Sequence, residues 1–250
     1  MKAMVFAAGL GTRLRPLTDD RPKALVEIDG RTLLEIVLTR LRSFGVREVV
    51  INVHHFADKL LAYLEAKSNF GMTIRISREP VLLDTGGGLK KAAPLLLADA
   101  RKPDEPIIVH NVDVLSDIDL KKMADAHAAS KAIATLAVQN RVTSRYLVFD
   151  ENLLLCGRRL GQEATAEIVR KSARIEPLAF SGIHVISPRL LTRLTEDGVF
   201  SVINSYLRLA GEGEKIAGFR ADEYYWRDLG RPSDLQQAAK DMAQGLVGKS

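Results

Sequence analysis

Met4-Val5-Phe6-Ala7-Ala8-Gly9-Leu10-Gly11-Thr12-Arg13-Leu14-Arg15-Pro16-Leu17-Thr18 opens as a short buried strand and passes directly into a glycine-rich turn. Two small residues and two glycines allow backbone amides to come close to a phosphate. Arg21-Pro22-Lys23-Ala24-Leu25-Val26 follows closely. Arg13 offers a planar, bidentate charge and Lys23 a mobile point charge. A lone Gly-X-Gly reads as a tight turn among solvated neighbours. Glycines, arginines and Pro-Lys together, after the first strand, read as a phosphate cradle. A dinucleotide fingerprint does not fit, because Leu14 stands where a third glycine is needed and Pro16 disfavours an immediate helix.

Outward from this turn, strand and helix signals alternate. Leu34, Val37, Leu38, Leu41 and Phe44 fall at helical spacing, and Gly45 is placed to stop the helix. Residues 49–53 and 107–109 are β-branched strands, 73–77 alternates as a strand, and 58–67 is a short helix. Gly86-Gly87-Gly88 reads as a turn, followed by a helix on Leu89, Ala92, Ala93 and Leu96 that Pro94 shortens or kinks. Asp117 is placed to cap a helix carrying Leu120, Met123, Ala124 and His127, and 132–138 is a further strand. Strands separated by helices predict an α/β fold, Rossmann-like, with a mixed, mostly parallel sheet sandwiched by helices. Ligands of such sheets bind beyond the carboxyl ends of strands, here the loops after Phe6, Ser77 and Val109.

The regularity fades beyond residue 140. Residues 146–149 and 180–186 read as strands, and 188–194, 200–209 and 232–244 as helices, the last with Pro232 in its first turn. No linker, repeat or low-complexity tract interrupts the chain. The expectation is one domain over 1–250, with a regular half at 1–140 and an elaborated half at 141–250.

The 36 Lys and Arg exceed the 31 Asp and Glu by five, yet only the Arg13, Arg15, Arg21, Lys23 knot concentrates the excess. A nucleic-acid partner needs a basic face or stripe, so none is expected. Apolar residues at 46% and charged ones at 27% are ordinary globular usage. The single cysteine, Cys156, excludes an intramolecular disulfide and a thiolate zinc cluster, and reads as a small apolar residue. No apolar run approaches a membrane span, and the run from Ala3 to Ala8 is too short for a signal peptide. A cytoplasmic setting is expected.

Gly-X-Gly-Thr-Arg-Leu-Arg-Pro-Leu-Thr with Pro22-Lys23 resembles the signature of the sugar-1-phosphate nucleotidyltransferases. The resemblance continues through Leu83-Asp84-Thr85-Gly86-Gly87-Gly88, His110-Asn111-Val112-Asp113-Val114 and Tyr225-Trp226-Arg227-Asp228-Leu229-Gly230-Arg231-Pro232. Such enzymes join a nucleoside triphosphate and a sugar 1-phosphate into a nucleotide sugar and pyrophosphate. Compact length and the Leu-Asp-Thr-Gly-Gly-Gly run most resemble the branch acting on N-acetylmuramate 1-phosphate with uridylyl transfer. They also resemble guanylyltransferases for mannose or heptose 1-phosphate, and a non-catalytic nucleotide-sugar sensor is the rival of another class.

The resemblance implies catalytic roles for Arg13, Lys23 and Asp113, and Mg²⁺ held by Asp113 and Asp228. Magnesium prefers one or two carboxylates plus phosphate oxygens, which suits that pair. It implies nucleotide contacts from Ala7, Ala8, Gly9, Gly11, Thr12, Arg13, Glu79, Asp84, Gly86 and Gly87, and sugar contacts from Asn111 and Gly182. Partners would be the triphosphate and the sugar 1-phosphate, with a monomer or small homo-oligomer as the assembly. Two departures stand out. Val112 replaces a usual glycine, and the Glu-Lys-Pro stretch that meets the sugar phosphate has no clear counterpart. Gly157-Arg158-Arg159 or Arg170-Lys171 could substitute, or could be solvated charges. His54 and His55, being adjacent, do not share one face of a strand, and read as structural or solvated.

Overall fold

A computed structural model of the chain describes residues 1–98, 105–161 and 164–247. The strands are β1 (Lys2–Phe6), β2 (Glu27–Ile28), β3 (Arg31–Thr32), β4 (Glu48–Val53), β5 (Thr73–Arg78), β6 (Ile107–Asn111), β7 (Val114–Ser116), β8 (Ala134–Gln139), β9 (Arg145–Asp150), β10 (Leu155–Leu160), β11 (Glu167–Ile168), β12 (Ile175–Ile186), β13 (Ile216–Arg220) and β14 (Trp226–Asp228). The helices are α1 (Leu33–Ser43), α2 (Ala57–Ala66), α3 (Asp84–Leu97), α4 (Leu120–Ser130), α5 (Val202–Gly211) and α6 (Pro232–Ala243).

β1 pairs in parallel with β4 and β6, and β4 with β5. β12 then runs antiparallel to β6, β8 and β9, β9 continues to β10 and β11, and β13 joins β8 in parallel. The sheet is thus mixed and continuous across the two halves of the sequence, with β12 as the seam. Alternation along β1 sends Ala3 and Val5 into one apolar layer, with α1, α2, α4 and α6, and Met4 and Phe6 into the other, with α3 and α5. Helices therefore cover both faces, as the α/β reading expects.

α1 follows its sequence signals: the Thr32 side chain accepts from the Glu35 amide at 3.0 Å, and Leu34, Val37, Leu38 and Leu41 are buried. Two local expectations are corrected. The Gly86-Gly87-Gly88 tract is no turn but the opening of α3, which runs for 14 residues, through Pro94. Asp119, not Asp117, caps α4, accepting from the amides of Lys121 and Lys122, while Asp117 accepts from the Tyr225 amide at 2.7 Å.

The strands absent from the sequence reading are the short β2, β3, β7, β11 and β14 together with β10 and β13. β7 and β14 form a small separate ribbon that pairs Asp228 with Val114. No described helix is long and apolar enough to cross a membrane.

Candidate active site

A cleft of about 480 Å³ opens at the carboxyl ends of β1, β4, β5 and β6, where the loops after Phe6, Ser77 and Val109 meet. Ala7, Ala8, Gly9, Gly11, Thr12, Arg13, Lys23, Glu79, Asp84, Asn111 and Asp113 all line it. The glycine loop is pinned at both ends. The Ala7 amide donates to Asn52 Oδ1 at 2.8 Å, and Leu14, at the end of a 3-10 turn, is fully buried. Between these anchors the amides of Ala8, Gly9, Leu10 and Gly11 make no hydrogen bond to protein among the described residues. Ala8 is buried, Gly11 half-buried and Gly9 and Leu10 exposed, and successive amides left unpaired in this way are donors for an anion. Gly11 is required there: its φ is 66°, and a Cβ would stand 2.9 Å from Thr18 and 3.1 Å from Lys23.

Lys23, nearly buried, donates to Asp113 Oδ2 from across the loop. Asp113 follows β6, and its carbonyl accepts from the Leu229 amide at 2.8 Å, which ties it to the end of β14. That link brings up Asp228, whose Oδ1 accepts from the Gly230 amide at 2.9 Å and lies 4.0 Å from Arg13 Nη2. Burial raises the Asp228 pKa and the negative charge of Asp113 adds to the rise, against the opposing pull of Lys23, the Gly230 amide and Arg13. A carboxylate whose ionisation its neighbour opposes, among phosphate-sized space and cations, suits a hard divalent cation. Among the described residues no cluster of three or more His, Cys, Asp or Glu could hold a metal by itself. The site fits an ion that takes its remaining oxygens from phosphate and water.

The Nucleotidyl transferase family profile matches residues 2–245. The chain belongs to that family. It is 36% identical to the N-acetylmuramate alpha-1-phosphate uridylyltransferase of Caulobacter vibrioides over 97% of each chain. It is 30% identical to the mannose-1-phosphate guanyltransferase of Debaryomyces hansenii over 94% of this chain and 62% of that one. The fold matches HddC from Yersinia pseudotuberculosis complexed with GMP-PN, with a TM-score of 0.74, 22% identity and coverage of 96% and 99%. It also matches a UDP-glucose pyrophosphorylase complexed with UDP-glucose, with a TM-score of 0.78, 17% identity and coverage of 97% and 98%. The protein is an enzyme, a sugar-1-phosphate nucleotidyltransferase.

In this transferase's cleft Glu79 is buried: one carboxylate oxygen accepts from Asn52 at 2.7 Å and the other from the Leu83 amide at 3.0 Å. Asp84 opens α3 at φ 58° and accepts from the Thr85 amide at 2.6 Å. Gly86 and Gly87 stand apart from the cleft. Their amides donate to the Phe200 carbonyl at 2.8 and 3.3 Å, and a Cβ on either would strike Phe200 or the Gly198 carbonyl. The tract fits α3 against the 198–200 segment, whose Val199 forms the cleft rim. Those two amides are therefore taken by protein.

Beside β6, Gly182 has φ 72° within an irregularity of β12, and a Cβ there would lie 2.8 Å from Asn111 Nδ2. Asn111 and Gly182 are thus brought together beside Asp113. Trp226 donates to the Ser181 carbonyl at 2.7 Å and so fixes β14 to the same irregularity.

Asn52 and Gly230 escaped the sequence reading. A Cβ on Gly230 would lie 2.5 Å from both Arg13 Nη2 and Asp228 Oδ1, so only glycine admits that pair. Its place in Asp228-Leu229-Gly230 was the available signal. His54 bonds the Glu79 carbonyl at 2.7 Å, a structural role. Cys156 is buried, and burial raises its thiol pKa, which leaves it unreactive.

Proposed function

We propose that the protein moves a nucleotidyl group from a nucleoside triphosphate to a sugar 1-phosphate with Mg²⁺, releasing pyrophosphate. The observation that carries the reading is the join of Lys23 to Asp113 and of Arg13 to Asp228 at the mouth of a loop with unpaired amides. An ionised oxygen of the sugar phosphate attacks the α-phosphorus in line, the new P–O bond forms, and the bond to the β-phosphate oxygen breaks. The nucleophile is already an anion, so no general base is needed.

The chain's part is to position two polyanions and neutralise their repulsion. Arg13 and the amides of Ala8, Gly9 and Gly11 receive the triphosphate, and Lys23 bridges the α-phosphate and the incoming sugar phosphate. Asn111 and Gly182 bound the sugar, and Glu79 and Asp84 the nucleoside. Asp113 and Asp228 would hold Mg²⁺, which supplies charge neutralisation on the phosphates when bound.

The preferred pair is uridine triphosphate with N-acetylmuramate 1-phosphate, supported by the full-length likeness to the Caulobacter enzyme. Guanylyl transfer to mannose or heptose 1-phosphate is the second reading, supported by the 30% identity to the guanyltransferase. A triphosphate donor and one buried thiol suit a cytoplasmic setting. A pyrophosphate-release screen crossing four nucleoside triphosphates with a panel of sugar 1-phosphates, with and without Mg²⁺, tests the proposal. Turnover of the uridine pair is expected. Silence of every pair sinks the transfer reading.

A further inference from the structure

Asp228 sits at the end of a short strand. β14 is three residues long and pairs only with β7, itself three residues, in a ribbon apart from the main sheet. Two strands of that length do not hold a side chain in place by themselves. Whatever grips the ribbon from outside therefore sets the distance between Asp228 and Asp113.

Successive side chains of a strand point to opposite faces, so Trp226 and Asp228 share the front of the ribbon and Tyr225 and Arg227 its back. On the front, Trp226 donates to the Ser181 carbonyl, and the Arg141 guanidinium lies 3.6 Å from its ring centre. On the back stands one carboxylate, Asp241 near the end of α6, which is only 4% exposed. Its Oδ2 accepts from the Tyr225 hydroxyl at 2.7 Å and from Arg227 Nε at 3.0 Å, with Arg227 Nη2 at 2.8 Å. Its Oδ1 accepts from Gln237 Nε2 at 2.8 Å. Gln237 lies one turn earlier on the same helix, so α6 itself orients the carboxylate. Arg227 Nε also donates to the Tyr225 hydroxyl at 3.0 Å, which closes a triangle. The Tyr225 backbone is held as well: its amide donates to Asp117 Oδ1, and its carbonyl accepts from the Asp117 amide at 3.2 Å.

Docking of α6 does not require this arrangement, because buried Leu235 and Ala238 already seat the helix. A buried ion pair contributes less net stability than apolar residues of similar size. What the triangle supplies is a fixed geometry, with β14 at one height above α6. Asp228 is the residue after Arg227, and Leu229 then donates its amide to the Asp113 carbonyl. A shift of the back of the ribbon is thus transmitted to both carboxylates.

We propose that Asp241 is a positioning residue for the metal-holding carboxylates: by gripping Tyr225 and Arg227 from α6, it keeps Asp228 at the separation from Asp113 that a divalent cation needs. The inference rests on the reading of Asp113 and Asp228 as the Mg²⁺ carboxylates and adds a residue that does not line the cleft.

The test measures binding of uridine triphosphate, or of the triphosphate that the pyrophosphate-release screen selects, by calorimetry without sugar, once with Mg²⁺ and once with EDTA. In the wild-type protein Mg²⁺ should tighten binding. Asp241→Asn and Arg227→Met should each cut that gain about tenfold, the scale for residues that orient a metal ligand, while affinity in EDTA changes by less than about twofold. The Mg²⁺ concentration for half-maximal pyrophosphate release should rise by a similar factor, and saturating Mg²⁺ should restore most of kcat. The double variant should lose no more than either single one, since both break one contact. Melting curves report on folding; should Asp241→Asn not fold, Arg227→Met decides, because it leaves Tyr225 and Gln237 on the carboxylate. Equal losses with Mg²⁺ and with EDTA, or an unchanged Mg²⁺ requirement, would assign Asp241 to folding alone and overturn the inference. A wild-type protein whose triphosphate binding and turnover ignore Mg²⁺ overturns the metal reading, and this positioning role with it.

Discussion

At the phosphate end of the cleft, Lys23 is bonded to Asp113 and Arg13 faces Asp228 at 4.0 Å, so each cation waits with an internal anion. Toward β8 and β10, Arg141 and Arg159 rest on Trp226 and Tyr146, and neither makes an ion pair among the described residues. The contrast follows from what each end must do. On the proposed reading Mg²⁺ comes with the phosphates, and the carboxylates that pair with cations beforehand, Asp113 and Asp228, would hold it. Aromatic faces hold Arg141 and Arg159 in place without neutralising them.

The phosphate end breaks most sharply at Asp113. Asp113→Asn should lower Mg²⁺-dependent pyrophosphate release by a thousandfold or more, on the order of the largest losses for a single electrostatic group. An undiminished rate would remove Asp113 from the reaction. Gly230→Ala should follow, with a loss of about ten- to a hundredfold in kcat, because its methyl group must push Arg13 away from Asp228. A crystal structure or thermal melt showing an intact fold separates that displacement from unfolding. Gly182→Ala probes the other end: crowding Asn111, it should raise KM for the sugar 1-phosphate about tenfold more than KM for the triphosphate. Equal effects on both substrates would mean that the two ends are not distinct.

Beneath both ends lie histidines that must stay neutral. Burial depresses His110 to about 4 and His184 to about 3, each below the usual 6.5. In the unfolded chain they take up protons below about pH 6.5 and in the native state only near 4 or 3, so stability is full above 6.5 and falls through that window. Each contributes a slope of up to about 1.4 kcal/mol per pH unit, measurable by denaturant titration at several pH values. A flat profile between pH 6.5 and 4 would contradict the burial of these rings.

The smallest effect concerns Asp228. Its raised pKa means that ionisation costs native stability once pH exceeds the ordinary carboxylate value, and the cost persists at neutral pH. Asp228→Asn should therefore raise the melting temperature of the metal-free protein at pH 7 by about 1–2 °C while abolishing turnover. A lower melting temperature would show that Arg13 and the Gly230 amide outweigh burial and Asp113.

The glycine loop was legible because its signals are local: small residues, a strand before them and cations after them. The Leu83–Gly88 tract was not, since three glycines disfavour a helix on propensity and only the Phe200 segment, far along the chain, gives them a reason to be helical. Asp113 and Asp228 were matched through resemblance, but their junction through Leu229 depends on a two-strand ribbon too short to show periodicity. Gly230 is invisible for the same cause, because the space it leaves is defined by Arg13. Asp117 reads as the cap in the sequence, but its carboxylate is taken by the Tyr225 amide and Asp119 caps α4 instead. Arg159 reads as a sugar-phosphate contact or a solvated charge in the sequence, and only strand register sets it opposite Tyr146.

β12 carries one more consequence, for how the polypeptide emerges during synthesis. It is the strand that closes the edge of β6 and receives both β8 and β9. Until residue 186 is available, β6 presents an open hydrophobic edge, the kind that recruits other chains. A nascent chain halted between β6 and β12 would thus be at its most aggregation-prone with every phosphate-end residue but Asp228 already made.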